Sequence, residues 1–212
     1  FTYQSQCLYD AVPFSSAVSS INAPGTIATY AWDFGDGNTS ADPNPNNTYG
    51  INGNYNVTLT LTSADNCINA VSYPISLYPV PNAAFTFVNS CQYDAVPFTS
   101  TSTVNAPDNI STFEWTLGDG QNSLLQNPSH QYAADGTYTV QLITTTNNNC
   151  KDTVEQVITV FPVPQPSFTF TPACLYDPTN FVSTATINAP GTIINSLWNF
   201  GDGSPLTSGL NV

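Results

Sequence analysis

All three tryptophans of the chain, Trp32, Trp115 and Trp198, are spaced 83 residues apart, and this interval constrains the fold more than any other feature. Cys67 and Cys150 keep the same spacing, as do Cys91 and Cys174, while Cys7 precedes Cys91 by 84. "NAPG" at 22 returns as "NAPD" at 105 and "NAPG" at 188, and "YPVPNAAFTF" at 78 is matched by "FPVPQPSFTF" at 161. Self-similarity at a fixed period marks a tandem array, in which one small unit is built again and again. The repeats fall at 1–81, 82–164 and 165–212, and the third runs a little past half of the unit.

Inside each repeat the hydrophobic period is two. "GNYNVTLTL" at 53 and "GTYTVQLIT" at 136 alternate, so Tyr55, Val57 and Leu59, like Tyr138, Val140 and Leu142, share one face of a strand. "NAPG", "GDGN" and "DPNPNN" supply turn signals every 8 to 12 residues, and no useful window shows helical spacing. The expectation is an all-β chain of antiparallel sandwiches, one per repeat. Trp32 sits where an immunoglobulin-like sandwich carries its buried tryptophan, and "DGTYTV" at 135–140 has the spacing of a tyrosine corner.

Charge narrows the partners. Fourteen acidic residues face a single basic one, Lys151, for a net charge of −13. Nucleic acids and anionic membranes are recognised through Lys and Arg, so both are excluded as partners. With only 7% charged residues but 41% hydrophobic, the chain is expected to fold and to present an uncharged polar surface. No apolar run approaches the length of a membrane span. The sequence opens within a strand-like pattern without methionine, so any signal peptide is expected upstream or removed. With one cation, few carboxylates gain an ionic partner, so mild acid is expected to relieve repulsion rather than to unfold the chain.

The cysteines bracket each complete repeat at matching places. Cys7–Cys67 and Cys91–Cys150 are therefore the expected disulfides, each closing one domain and stabilising it by about 4 kcal/mol. They point to an oxidising, extracellular setting.

The remaining motif is "WDFGDG" at 32, returning as "WTLGDG" at 115 and "WNFGDG" at 198. Position 33 is Asp, then Thr116, then Asn199, so no catalytic carboxylate is kept there. Asp36, Asp119 and Asp202 are constant, each between glycines: Gly35 and Gly37, Gly118 and Gly120, Gly201 and Gly203. One carboxylate per repeat is not a hydrolase site. The expected role is a structural turn, with Trp32 and Phe34 pointing inward and Asp33 outward. The sharper alternative is a weak calcium site near Asp33 and Asp36, although D-x-x-D-G lacks the ligand spacing of an EF-hand loop. No other cofactor is expected. His130, the single histidine, aligns with Asn47 and reads as a satisfied residue at a strand entry. Tyr9, Tyr93 and Tyr176 each follow a cysteine by two residues and read as core or inter-domain packing, with a glycan-stacking row as the alternative. "NTS" at 38, "NNT" at 46, "NVT" at 56 and "NIS" at 109 fit the N-glycosylation pattern, and Asp152-Thr153-Val154 resembles an O-glycosylation site.

Taken together, "WDFGDG", "NPSHQY" at 127, "GTYTVQLITT" at 136 and "VITVFPVP" at 157 resemble the polycystic kidney disease (PKD) domain. The likeness is strongest to its cysteine-containing tandem form in surface and secreted proteins of Bacteroidetes-type bacteria. The resemblance covers repeats one and two and the first half of repeat three. It implies seven-stranded immunoglobulin-like sandwiches and non-catalytic work outside the cell: spacing, adhesion, or contact with proteins and glycans. The proline-rich joints at 78–85 and 161–168 favour stiff connections, hence a rod. The function expected is a structural or adhesive segment of a surface fibre, filament or stalk, a homopolymer contacting copies of itself, other surface proteins or glycans. The competing expectation is an accessory array of a secreted hydrolase. The third repeat is expected to be completed by further chain, with a cysteine near position 233, or by strands from another copy.

Overall fold

The computed structural model describes residues 1–3, 6–22 and 24–210. The described residues form strands and turns and contain no helix.

In the first repeat a five-stranded sheet runs in the order Gln6–Cys7, Ile68–Tyr78, Gly53–Ser63, Ile27–Asp33, Thr39–Ser40. A second sheet sets Ala11–Ser15 between Thr2–Tyr3 and Asn46–Thr48. The start of the repeat contributes to both sheets: Thr2–Tyr3 pairs antiparallel with Ala11–Ser15, and Gln6–Cys7 pairs parallel with Leu77 and Tyr78. The described residues of the repeat thus contain eight strand segments, where the family resemblance implies seven. The register shifts between Ile27 and Thr29, where a bulge interrupts pairing with Gly53–Ser63.

Alternation does the packing. Along Ala31-Trp32-Asp33-Phe34 the side chains point out, in, out, in, and Trp32 and Phe34 are buried with Val12, Phe14, Tyr49, Val57, Leu59, Ile75 and Leu77. Trp32 is the keystone of this core. Phe1 meets its ring edge-on at 5.0 Å, and Phe34 stacks on it at 6.2 Å.

The second repeat repeats the plan. Its five-stranded sheet runs Ser90–Cys91, Lys151–Phe161, Gly136–Thr146, Ile110–Thr116, Asn122–Ser123, and Ala95–Pro97 pairs antiparallel with Ser129–Gln131. Phe85 meets Trp115 edge-on at 5.0 Å, the counterpart of the Phe1–Trp32 contact. The expected tyrosine corner is present in both repeats: the hydroxyls of Tyr55 and Tyr138 donate to the carbonyls of Ile51 and Ala134 at 2.7 and 2.8 Å. The described part of the third repeat pairs Phe168–Phe170 with Phe181–Ser183 and Leu197–Trp198 with Thr207–Ser208. Its aromatic face is open: Phe168, Phe181, Trp198 and Phe200 line a cleft of about 420 Å³, and Phe168 and Phe170 are exposed.

By internal contact the chain forms two compact units. One comprises Phe1–Ala84, Thr101–Glu114 and Ile143–Val154; the other comprises Phe85–Ser100, Trp115–Leu142 and Glu155–Val212. Two segments of repeat two therefore group with repeat one. Within that first unit the linker residues are tied to repeat two: the Ala83 amide donates to Asp152 at 2.8 Å, and Asn82 and Thr103 exchange backbone bonds at 2.7 and 3.1 Å.

Candidate functional site

Each Gly-Asp-Gly corner joins the tryptophan strand to the short strand that folds back on it. Gly118 and Gly120 take φ of 87° and 91°, a region open to glycine, and the glycines of the other two corners do the same. The aspartate between them ties the turn. Asp36 accepts from the Asn38 amide at 2.9 Å, Asp119 from the Gln121 amide at 3.0 Å, and Asp202 from the Ser204 amide at 2.9 Å. Asp33 accepts from the Gly35 amide at 2.9 Å, and Asn199 does the same for Gly201 at 3.0 Å. This explains why position 33 tolerates both Asp and Asn. The tryptophan anchors the far side: the indole N–H of Trp32, Trp115 and Trp198 donates to the carbonyls of Asp42, Leu125 and Gly209 at 2.9, 2.9 and 2.8 Å.

The second carboxylate oxygen faces a partner that single-position reading did not connect to it. In repeat one Asn47 Nδ2 donates to Asp36 Oδ2 at 2.8 Å; in repeat two His130 Nε2 meets Asp119 Oδ2 at 2.6 Å. Asn and His both offer a nitrogen at this position, so the exchange of one for the other between repeats was the available signal. A buried tyrosine closes the corner from below, Tyr49 donating to the Phe34 carbonyl at 3.2 Å and Tyr132 to that of Leu117 at 2.8 Å.

Electrostatics follow the contacts. Partial burial alone would raise the Asp119 pKa, but the His130 hydrogen bond and the Gln121 amide outweigh it and hold the carboxyl below the usual range. The Ser204 hydroxyl and amide hold Asp202 low as well. Burial pushes the Tyr49 hydroxyl up to about 12. The carboxylates are thus held by amides and side-chain donors, with a coulombic contribution from His130 at Asp119. Among the described residues no three His, Cys, Asp or Glu side chains gather as a metal cluster. Asp33 and Asp36, the two acids weighed for calcium, each already accept a backbone hydrogen bond.

Two expectations are corrected here. Cys7 is bonded to Cys150, with Cα atoms 5.6 Å apart, whereas Cys67, Cys91 and Cys174 are free and exposed. The pairs Cys7–Cys67 and Cys91–Cys150 do not form. The reason is placement: Cys7 lies beside Tyr78 at the end of its sheet, and the Cys150 sulfur lies 3.9 Å from the Tyr78 carbonyl. The staple therefore links repeat one to repeat two. Tyr9, Tyr93 and Tyr176 are not core residues. They are 67%, 60% and 95% exposed at φ of 70°, 71° and 75°, in a turn where the following Asp amide bonds back to the cysteine carbonyl. Asp152, read as part of an O-glycosylation pattern, accepts the Ala83 amide.

An immunoglobulin-like sandwich with a tryptophan-anchored Gly-Asp-Gly corner and a tyrosine corner defines a class of β-domain. The chain belongs to the PKD domain family, whose pattern matches residues 3–74 and 78–161. It is similar to the pre-pro-metalloprotease PrtV of Vibrio cholerae, 32% identical over 106 residues that are 49% of this chain and 11% of that protein. It is also similar to a microbial collagenase of Vibrio alginolyticus, 39% identical over 56 residues, 26% of this chain and 7% of the collagenase. The chain thus spans about a tenth or less of these relatives. Among solved structures, the PKD1 domain of Vibrio cholerae PrtV is 31% identical, with a TM-score of 0.35 over 40% of this chain and 98% of that one. The PKD1 domain of Vibrio anguillarum Epp is 26% identical, with a TM-score of 0.36 over 38% and 93%.

Proposed function

We propose that this chain is a non-catalytic segment of an extracellular fibre, filament or stalk. The observation that carries this reading is the Cys7–Cys150 bond, which ties one repeat covalently to the next where a free-standing binding module would close on itself. The proline-rich joint supports it, since such a linker is semi-rigid, and its residues Asn82 and Ala83 are hydrogen-bonded to Thr103 and Asp152 of repeat two. The acidic corners take part as turns: their oxygens accept from neighbouring amides and from Asn47 or His130, so the reading invokes no metal and no reacting carboxylate. The polar, nearly lysine-free surface suits contact with like copies or with glycans.

A second reading is favoured by the relatives. PrtV is named a metalloprotease and the other relative a collagenase, and this chain would then be an accessory array beside a catalytic module. Negative-stain electron microscopy of the native material tests the choice. Long uniform fibres are expected; compact particles that copurify with proteolytic activity would overturn the fibre reading.

A further inference from the structure

The five cysteines fall into two structural kinds. Cys7, Cys91 and Cys174 open the same turn: the Asp three residues later donates its amide to the cysteine carbonyl at 3.2, 3.1 and 2.9 Å, with a left-handed tyrosine between. Cys67 and Cys150 close the same hairpin. The Ser63 and Thr146 amides donate to the carbonyls of Cys67 and Cys150 at 2.9 and 2.8 Å, and their hydroxyls accept from the amides of the same cysteines at 3.1 and 3.2 Å, beside Asn66 and Asn149 at φ of 63° and 64°. The one bond that forms joins a turn cysteine to the hairpin cysteine of the next repeat.

The surface around each hairpin supplies an independent observation. At the Cys150 hairpin Thr144, Thr146 and Cys150 are fully buried, within the compact unit that contains repeat one. At the matching end of repeat one Ser63 is buried like Thr146, but Leu61 and Thr62 are only half-buried, Cys67 is exposed, and Ile68 and Ile21 are 70% and 43% exposed. These residues border a hollow of about 180 Å³ lined by Ile21, Ile27, Leu61, Cys67 and Ile68. The end that is buried on repeat two is thus more open on repeat one itself, with Ile21, Cys67 and Ile68 exposed.

We propose that the disulfides of this array couple successive repeats throughout. Cys67 is bonded to the turn cysteine of a PKD repeat seated before repeat one in the same polypeptide, and Cys91 to the hairpin cysteine of the repeat that follows repeat two. The hollow beside Cys67 receives the preceding repeat's Cys-x-Tyr-Asp turn. Each staple forms by thiol–disulfide exchange with an oxidised dithiol donor. The two cysteine thiols give up two protons and two electrons as their S–S bond forms, while the donor's disulfide breaks and leaves as two thiols. This goes beyond the fibre reading and fails separately from it, because one is decided by mass and the other by imaging.

The test is disulfide mapping of the full-length native protein, quenched in N-ethylmaleimide and digested with chymotrypsin without reduction. Cys7 is expected on a peptide joined to Cys150. Cys67 is expected joined to a peptide carrying the Cys-x-Tyr-Asp turn, and Cys91 to a hairpin-type cysteine, with neither alkylated. Recovery of Cys67 or Cys91 as its maleimide adduct, or of Cys7–Cys67 or Cys91–Cys150 peptides, would overturn the proposal. So would multimers on a non-reducing gel that collapse on reduction, because they would place the partner cysteine in another copy. In the 212-residue chain alone, treated with glutathione disulfide, only Cys7–Cys150 should form within the monomer; a different intramolecular bond there would also count against it.

Discussion

Replacing one glycine or the other of the same corner separates turn geometry from packing. Both Gly118 and Gly120 have positive φ, so an alanine at either costs about 1–2 kcal/mol in left-handed strain. Space differs between them. A Cβ at Gly120 meets nothing within 4 Å, whereas one at Gly118 would lie 2.6 Å from the Thr139 carbonyl oxygen and 3.1 Å from its amide nitrogen. Those atoms are backbone of the long strand Gly136–Thr146 and cannot swing aside as a side-chain tip would. Relieving the clash by shifting packed backbone adds about 1–3 kcal/mol. Gly120→Ala should therefore cost about 1–2 kcal/mol and Gly118→Ala about 2–5 kcal/mol. Urea unfolding followed by tryptophan fluorescence reads both, since Trp115 is buried in the affected core. Equal losses for the two variants, or none for Gly118→Ala, would refute the account of the corner as a close-packed structural turn.

His130→Asn should be nearly neutral, because Asn47 makes the same bond to its aspartate, whereas His130→Ala should cost about 1–2 kcal/mol, measured by thermal unfolding at pH 7. Asp119 has its pKa lowered on folding from 3.8, so its stabilisation is complete above that value and disappears as pH falls through the lower folded value; the melting temperature should hold from pH 7 to about 5, then drop below pH 4, and Asp119→Asn should flatten that acid limb. Reducing Cys7–Cys150, which spans 143 residues, removes about 5 kcal/mol in the chain-entropy estimate; in the 212-residue chain alone dithiothreitol should lower the melting temperature, while Cys67→Ser leaves it unchanged. Millimolar calcium should not raise the melting temperature at pH 7, and a saturable rise abolished by Asp36→Asn would restore a metal role to the corner.

Much of this molecule was legible in single stretches of sequence because the relevant physics is local. Alternation along Ala31 to Phe34 decides which side chains face the core, and the Tyr138 corner closes over four residues, so both could be read without knowing the fold. The period of 83 residues likewise announced the repeats. Partner choice was different. Asp36 and Asn47 are separated by a strand and a turn, and only the pairing of Val12 with Asn47 across the second sheet brings that side chain under the corner. The turn tyrosines illustrate the same limit, since an aromatic after a cysteine looks like core until the left-handed backbone aims it at solvent. The cysteines show it most clearly. Spacing cannot distinguish Cys67 from Cys150 as a partner for Cys7, because repetition makes the two hairpins equivalent in sequence. A disulfide needs Cα atoms within about 7 Å, and which hairpin comes that close is settled by how one repeat packs against the next, a property no single repeat encodes.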